Sequence, residues 1–237
     1  MSPHFKRDEL RERYDVEIID EDEWHTYATA KTYDFLWRHL SRPKAPQLCL
    51  NAGAGVYELR LEGWEEVSID LFITPMRGRR GAVCASVEAL PFKSETFGGI
   101  VCTGEVLAYC DPVTVFAEFS RIAAPSGVLI CDFGNSRSFR YWFRSPYGRA
   151  ADLVTDLYNG KPERIWVYEP RYVESLLGHF GFDIKMILGT HTWSALARRC
   201  GASMSTSLFL QHRLERVRLP SLYADVITII ASRRAKE

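Results

Sequence analysis

The chain has 237 residues, and its 30 basic and 30 acidic residues give a formal net charge of zero at pH 7. This length is typical of one domain with its own core, so we predict a single domain over residues 1–237. A protein with a long nucleic-acid footprint usually carries net positive charge, so nucleic acid is not an expected partner. No apolar run approaches the roughly 18 residues that span a bilayer, and the amino terminus has no secretory signal. We therefore expect a cytoplasmic protein without a membrane partner, as a monomer or a homodimer.

The six cysteines do not form a metal-ligand pattern. They include no C-x-x-C pair and do not cluster with histidine. Most lie in apolar, strand-like runs, where buried free thiols are the common finding. The sequence therefore predicts no metal site.

The amino-terminal part, residues 1–45, is predicted to form a helical cap. Asp20 and Glu23 have the spacing of a capping box, and apolar residues recur at helical spacing from Trp24 onward. Pro43 follows this pattern and marks the end of the helix.

Strands and helices then alternate along the chain. Residues 47–70 read as an apolar strand, a glycine-containing turn, a short helix and a second strand. Further strands are predicted at 82–85, 99–103, 128–133, 182–188 and 222–231. Helices begin at Asp111-Pro112, with the acid as cap and proline in the first turn, and at Pro170. This alternation predicts an α/β fold: a doubly wound, Rossmann-like sheet with helices on both faces.

Two segments depart from the alternation. Residues 134–168 are polar, aromatic and rich in arginine, and residues 189–220 have a helical pattern. We expect both to be helical insertions that form a lid over a substrate.

The turn after the first strand runs from Asn51 to Gly55 and contains Gly53. A pyrophosphate-binding turn of the G-x-G-x-x-G type needs a third glycine, but position 58 is Glu58. This difference favours an adenosine ligand without a pyrophosphate, such as S-adenosylmethionine, and ranks a nicotinamide-dependent oxidoreductase last.

Motifs further along the chain point to a family. An acid-x-Leu-Pro-Phe segment begins at Glu88 and leads to the strand GGIVCT. Glu118 and Arg121 precede the turn APSG, and a YEP segment from Tyr168 opens the next helix. In this order the motifs resemble the class I S-adenosylmethionine-dependent methyltransferases of the small-molecule type, with a domain like methyltransferase domain 11. The likeness covers roughly residues 45–190 by motif order.

The resemblance implies a seven-stranded mixed sheet in the order 3-2-1-4-5-7-6, with strand seven antiparallel. It also implies S-adenosylmethionine as cofactor, S-adenosylhomocysteine as product, and transfer of a methyl group to a small-molecule acceptor. Four positions depart from the family pattern. Cys49 and Ser86 stand where acids are common, Asn51 replaces the first glycine of the turn, and Gly98 replaces an aspartate.

The resemblance also assigns the cofactor residues. They are Asn51, Gly53, Gly55, Asp70, Leu71, Ser86, Val87, Thr103 and Gly104. Asp70 would accept hydrogen bonds from both ribose hydroxyls, and Ser86 would read the adenine edge. The methionine carboxylate would face N–H groups where a helix starts after the glycine turn.

The catalytic residue is left unassigned. Glu105, Tyr109 and His191 are candidates for a general base, and each has a structural alternative: a cap or core position for the first two, and a surface histidine for the third. Methylation of an amine or a thiolate can proceed without a base, whereas a hydroxyl acceptor usually needs one.

The arginine-rich segment is predicted to bind the acceptor, which would be acidic, phosphorylated or flat and aromatic. The residues proposed for this role are Arg137, Arg140, Tyr141 and Arg144. The alternative is an amphipathic helix whose arginines cover an aromatic face.

Two other functions stay open. The first is a catalytically inactive binding or assembly protein with this fold, whose apolar segment at 207–219 would contact a partner. The second, less favoured because of the neutral charge, is an RNA methyltransferase.

Overall fold

The computed structural model describes residues 7–16, 22–40, 42–158, 161–217 and 220–235. The helices are α1 (Arg7–Tyr14), α2 (Glu23–His39), α3 (Pro112–Ile122), α4 (Pro170–His179), α5 (Thr192–Arg199) and α6 (Met204–Leu214). The strands are β1 (Gln47–Ala52), β2 (Trp64–Asp70), β3 (Ala82–Cys84), β4 (Phe97–Cys102), β5 (Ala123–Gly134), β6 (Ala151–Tyr158), β7 (Lys161–Tyr168), β8 (Phe182–Thr190) and β9 (Val226–Arg233).

Seven strands form one sheet in the order β3-β2-β1-β4-β5-β9-β8. The first five are parallel to one another, and β9 runs antiparallel to both β5 and β8. Since β8 and β9 are the sixth and seventh strands of this sheet along the chain, the predicted order 3-2-1-4-5-7-6 and the antiparallel last strand are confirmed.

Helices cover both faces of the sheet, as the alternation predicts. On one face, apolar side chains of α3 and α4, such as Phe116, Phe119 and Leu177, join the main core. On the other face, Phe35 and Leu36 of α2 pack on side chains of the central strands. Helix α2 begins after Asp22, whose carboxylate accepts the His25 N–H at 3.0 Å. The cap predicted at Asp20 lies outside the described residues.

The short helix predicted between β1 and β2 is absent from that stretch, all of which the structure describes. Its peptide groups form isolated turn bonds, such as that from the Tyr57 N–H to the Ala54 carbonyl at 2.9 Å, and several bond to side chains. The Tyr57 carbonyl accepts from Asn51 Nδ2 at 3.0 Å and from the Arg79 guanidinium at 2.7 Å. The Leu59 N–H donates to Glu66 at 2.8 Å. The local pattern is helical, but these partners from neighbouring segments hold the chain in an irregular loop.

The insertion at 134–168 was predicted to be helical, and this prediction was wrong. After a single 3-10 turn, β6 and β7 pair as an antiparallel two-stranded sheet in register from Ala151 with Tyr168 to Tyr158 with Lys161. The insertion at 189–220 does contain the helices α5 and α6. Within α6, Leu208 is buried and Phe209 is 57% exposed, so the apolar segment predicted there faces solvent only in part.

Two motifs that carried the family resemblance bind each other in space. Glu118 accepts the Leu90 N–H at 2.7 Å. Arg121 donates to the carbonyls of Phe92 at 2.6 Å and of Leu90 at 2.9 Å, and it is paired with Glu118. Helix α3 therefore clamps the Leu-Pro-Phe segment, and with it the loop that follows β3.

In the part of the chain that the structure describes, no helix is long and apolar enough to cross a membrane.

Candidate functional site

A cavity of about 370 Å³ lies at the carboxyl ends of the parallel strands. Its walls come from the loops after β1, β2, β3 and β4, and from residues of α1 and α2. The chain leaves β1 and β4 toward opposite halves of the sheet, so the cavity lies at the topological switch point. Open α/β sheets bind ligands at this place.

All nine residues predicted to contact a cofactor line this one cavity. They come from the ends of β1 and β2 and from the loops after β1, β2, β3 and β4, which are far apart along the chain. The structure thus brings the predicted set together.

Asp70 is fixed to the glycine turn by two backbone hydrogen bonds. One carboxylate oxygen accepts the Gly55 N–H at 2.9 Å, and the other accepts the Phe72 N–H at 3.0 Å. Burial raises the pKa of Asp70, although these N–H groups and Arg79 act in the opposite direction. Each carboxylate oxygen keeps a lone pair that can accept a hydroxyl hydrogen bond.

The glycine turn does not offer the anion site that the sequence suggested. The N–H groups of Gly53 and Ala54 both donate to the Ile69 carbonyl at 2.9 Å, and that of Gly55 donates to Asp70. With no helix beginning after the turn, these donors are used inside the protein. The structure therefore gives these three N–H groups no free position for the methionine carboxylate, and the predicted helix start is absent.

The four departures from the family pattern fall into two groups. Asn51 and Ser86 line the cavity, whereas Cys49 and Gly98 do not. The Asn51 amide donates to Glu66 at 2.8 Å and to the Tyr57 carbonyl, so it holds the glycine turn on β2. Gly98 lies against the Gln47 side chain, which a Cβ would overlap. Only two of the four departures can touch a ligand in the cavity.

Asp132 is a site residue that the sequence analysis missed. It lies on β5, lines the cavity, and accepts the N–H groups of Gly104 at 3.0 Å and of Glu105 at 2.7 Å. Burial raises the pKa of Asp132 to about 6. The signal in the sequence was a single acid inside the apolar run from Val128 to Phe133.

The loop that Asp132 holds contains Gly104 in a conformation that favours glycine, with φ +85°. A Cβ at Gly104 would meet no protein atom within 4 Å. The residue therefore leaves space at the cavity wall, which fits a ligand that approaches the backbone closely.

Two of the three candidate bases line the cavity. Glu105 has a left-handed backbone with φ +57°, and the Tyr109 hydroxyl bonds to the Tyr14 hydroxyl of α1 at 2.9 Å. Burial raises the pKa of both side chains well above the usual range, and for Glu105 the nearby Asp132 adds to the effect.

His191 is not a surface histidine and lines neither cavity described for the site. Its ring stacks on Trp24 at 3.9 Å, with Nε2 at 3.0 Å from the Trp24 carbonyl and Nδ1 at 3.0 Å from the Ser194 hydroxyl. Burial lowers the pKa of His191 to about 3. The structure gives it a place in the core and excludes it as a base for this cavity.

A second cavity of about 280 Å³ adjoins the first, and both have His25 and Glu105 in their walls. Of the predicted acceptor residues, Arg140 and Tyr141 line this second cavity. Arg137 does not, because it is paired with Glu169 at 2.8 Å.

Arg144, the fourth predicted acceptor residue, is exposed and lines neither cavity. Arg140 is itself held by carboxylates, with Asp156 at 2.7 Å and Asp225 at 3.4 Å. The structure thus places neither Arg137 nor Arg144 at a cavity, and Arg140 already has two anionic partners.

The sequence analysis also missed His25 and Asp22 at the start of α2. The His25 Nδ1 lies 2.7 Å from Asp22 Oδ1, an arrangement that fixes the orientation of the ring. The sequence shows an acidic helix cap followed three residues later by a histidine. It does not show that this histidine lines both cavities.

The strand order and the cavity at the switch point define a Rossmann-like α/β fold. In a comparison with protein families, residues 50–131 match the methyltransferase domain family. The predicted resemblance to the class I S-adenosylmethionine-dependent methyltransferases is therefore confirmed, and the predicted cofactor agrees with it. No curated protein sequence matches the chain.

Solved structures share this fold at low sequence identity. A protein from Listeria monocytogenes assigned as an S-adenosylmethionine-dependent methyltransferase has a TM-score of 0.64 and 11% identity, covering 91% of this chain and all of its own. The [4+2]-cyclase SpnF has a TM-score of 0.60 and 12% identity, covering 93% and 86%. Geranyl diphosphate C-methyltransferase from Streptomyces coelicolor A3(2), solved in complex with Mg²⁺, geranyl diphosphate and S-adenosyl-L-homocysteine, has a TM-score of 0.56 and 15% identity, covering 88% of this chain and 80% of its own. Such a likeness establishes the fold, and the reaction must be argued from the site.

Proposed function

We propose that this protein transfers the methyl group of S-adenosylmethionine to a small molecule. The observation that carries the proposal is that strand ends and loops far apart along the chain bring all nine predicted cofactor residues into one cavity, with Asp70 fixed beside the glycine turn. The family match over residues 50–131 supports the same reaction.

The residues present fit this cofactor. Asp70 can accept the two ribose hydroxyls, and the space beside Gly104 admits a ligand close to the backbone. When bound, the cofactor supplies an electrophilic methyl group on a sulfonium. The protein then has to hold the accepting atom about 3–3.5 Å from that group and keep water out.

The acceptor belongs in the second cavity, because that cavity meets the first at Glu105 and His25. Its size suits a small organic molecule rather than a polymer. Apolar and aromatic residues of three elements contribute to its wall, among them Trp24, Tyr141 and Val167. Glu105 is the candidate for moving a proton, since it lies where the two ligands would meet.

Calorimetry with S-adenosylmethionine and S-adenosylhomocysteine tests the cofactor site. The wild-type protein should bind both, and Asp70→Asn should weaken binding at least tenfold, since it removes a charged acceptor of hydroxyl hydrogen bonds. Asp183→Asn is the matched control, because Asp183 is an exposed aspartate paired with Arg234 and lies away from the cavity. It should bind like the wild type.

If the wild-type protein bound neither ligand, the inactive binding or assembly protein would replace the enzyme as the best interpretation. Equal binding by Asp70→Asn and the wild type would show that the ligand lies elsewhere.

A further inference from the structure

The second cavity has an excess of negative charge, although the whole chain is neutral. Its titratable wall residues are the four carboxylic acids Asp22, Glu105, Asp156 and Asp225, together with Arg140, Arg198 and His25. Arg140 is engaged with two of these acids. The Arg198 guanidinium donates to the Ala202 carbonyl at 3.0 Å.

Among the described residues, Glu105 is the acid of this set whose carboxylate has no direct partner. Its backbone N–H is bonded to Asp132, but in the described chain its carboxylate accepts no hydrogen bond and forms no ion pair. One carboxylate oxygen lies so close to Gly134 that a Cβ there would be 2.9 Å away. The residue is half-buried, and it lines both cavities.

Burial and the carboxylates of Asp132, Asp225 and Asp156 raise the pKa of Glu105 well above its usual range, although Arg140 acts in the opposite direction. Such surroundings favour the neutral carboxyl group, and a cation close to it favours the carboxylate. A cationic ligand would supply the missing charge, whereas an anionic ligand would meet three further carboxylates.

Apart from Gly134 and Thr155, the remaining wall of the second cavity is apolar and aromatic. Trp24, Tyr141, Ile165 and Val167 contribute to it. Aromatic faces attract organic cations, by about 0.5–2 kcal/mol for each contact. The wall therefore matches an ammonium group attached to an apolar body.

We propose that the second cavity binds an amine, that Glu105 holds its ammonium group, and that the amine nitrogen is the atom methylated. This inference rests on the proposed function and names the acceptor class for it. It replaces the acidic acceptor expected from the arginine-rich segment, because those arginines have carboxylate partners or lie outside the cavity.

The reaction balances with groups already named. Binding of the ammonium favours the ionised form of Glu105, which releases its proton to solvent. An N–H proton of the ammonium then passes to a Glu105 carboxylate oxygen, which leaves a neutral amine and a protonated Glu105. The nitrogen lone pair then forms the N–C bond to the methyl group while the C–S bond breaks and its electron pair stays on sulfur. The products are a methylated ammonium and a neutral thioether.

Ligand-observed NMR on protein saturated with S-adenosylhomocysteine tests the inference. The probes are benzylammonium, benzyl alcohol and benzoate, which share a ring and differ in charge. We expect benzylammonium to bind at least tenfold more tightly than benzoate. In Glu105→Gln this preference should fall at least tenfold, whereas Glu62→Gln, at an exposed acid paired with Arg42, should keep it.

Benzoate binding as tightly as benzylammonium in the wild type would overturn the inference and leave the proposed function standing. A preference for benzylammonium that survives in Glu105→Gln would overturn the role of Glu105. Thermal unfolding of Glu105→Gln with and without S-adenosylhomocysteine checks that the variant is folded and still loaded. A wild type that cannot be loaded with S-adenosylhomocysteine would defeat the proposed function itself.

Discussion

Single carboxylates in this protein fix loops that lie far away from them in the sequence. Asp132 on β5 holds the loop after β4, and Asp70 at the end of β2 holds the turn after β1. In both cases a carboxylate accepts two backbone N–H groups, a strong arrangement because the acceptor is charged. The carboxylates thus determine the shape of the cavity as well as its charge.

Gly104 and Gly78 form a matched pair for testing close approach at the cavity. Both have φ above +80°, and a Cβ on either would meet no protein atom within 4 Å. Alanine at either position should cost about 1–2 kcal/mol of unfolding free energy through backbone strain. Only Gly104→Ala should also weaken S-adenosylhomocysteine binding in calorimetry, because only Gly104 lines the cavity. Equal ligand affinity in the two variants would show that the ligand does not approach Gly104.

His191 should make stability depend on pH. Its pKa is about 3 in the folded protein against an ordinary 6.5, so the unfolded chain binds the extra proton between these values. The contribution of neutral His191 to the free energy of unfolding is therefore fully present above pH 6.5. It decreases as the pH falls below that value, by about 1.4 kcal/mol per pH unit.

Urea unfolding of the wild type and His191→Gln at pH 7 and pH 5 measures this contribution. The variant should be less stable at pH 7, because it loses the stacking on Trp24, and the gap should narrow at pH 5. Asp132, whose raised pKa acts in the opposite direction, is common to both proteins and cancels. A gap that stays constant between the two pH values would contradict a buried neutral His191.

At the scale of elements, helix α3 covers the sheet and also binds a neighbouring loop. Through Glu118 and Arg121 it binds the backbone of the Leu-Pro-Phe segment, which continues from the cavity loop at Ser86 and Val87. The pairing explains why these two motifs occur together in the sequence.

Glu118→Gln should lower the unfolding free energy by about 1–3 kcal/mol, since a charged acceptor of one N–H and one guanidinium is lost. Asp34→Asn is the matched control, because Asp34 pairs with Arg38 on the exposed face of α2. Such exposed pairs contribute at most about 1 kcal/mol. Denaturant unfolding compares the two variants, and equal losses would show that the clamp adds no more than a surface ion pair.

For the molecule as a whole, the two cavities meet at residues that lie far apart in the sequence. Helix α2 brings His25, the loop after β4 brings Glu105, and the hairpin of β6 and β7 closes the second cavity with Asp156 and Ile165. The whole-chain charge of zero conceals an acidic cavity, because basic residues outnumber acidic ones in the rest of the chain. Arguments from net charge therefore bear on nucleic-acid binding but not on the small-molecule acceptor.

Much of the fold and of the cofactor cavity could be predicted from the sequence. Apolar runs and turn residues are local signals, and motif order identified the topology. In a parallel sheet the strand ends meet at one edge, so residues that end separate strands, such as Asp70 and Thr103, had to lie close together. The hairpin was also visible in principle, because Asn159-Gly160 separates two runs rich in β-branched and aromatic residues.

The tertiary structure alone decided which polar groups are free to bind a ligand. Arg137 donates a hydrogen bond to Glu169, and Arg140 donates one to Asp225, 85 residues away. His191 bonds to the Trp24 carbonyl, 167 residues away. Tertiary partners also explain why no helix forms after β1. There, several backbone groups bond to side chains of neighbouring segments. Sequence patterns report local preferences, whereas a buried polar group takes whichever partner the fold brings within hydrogen-bond distance.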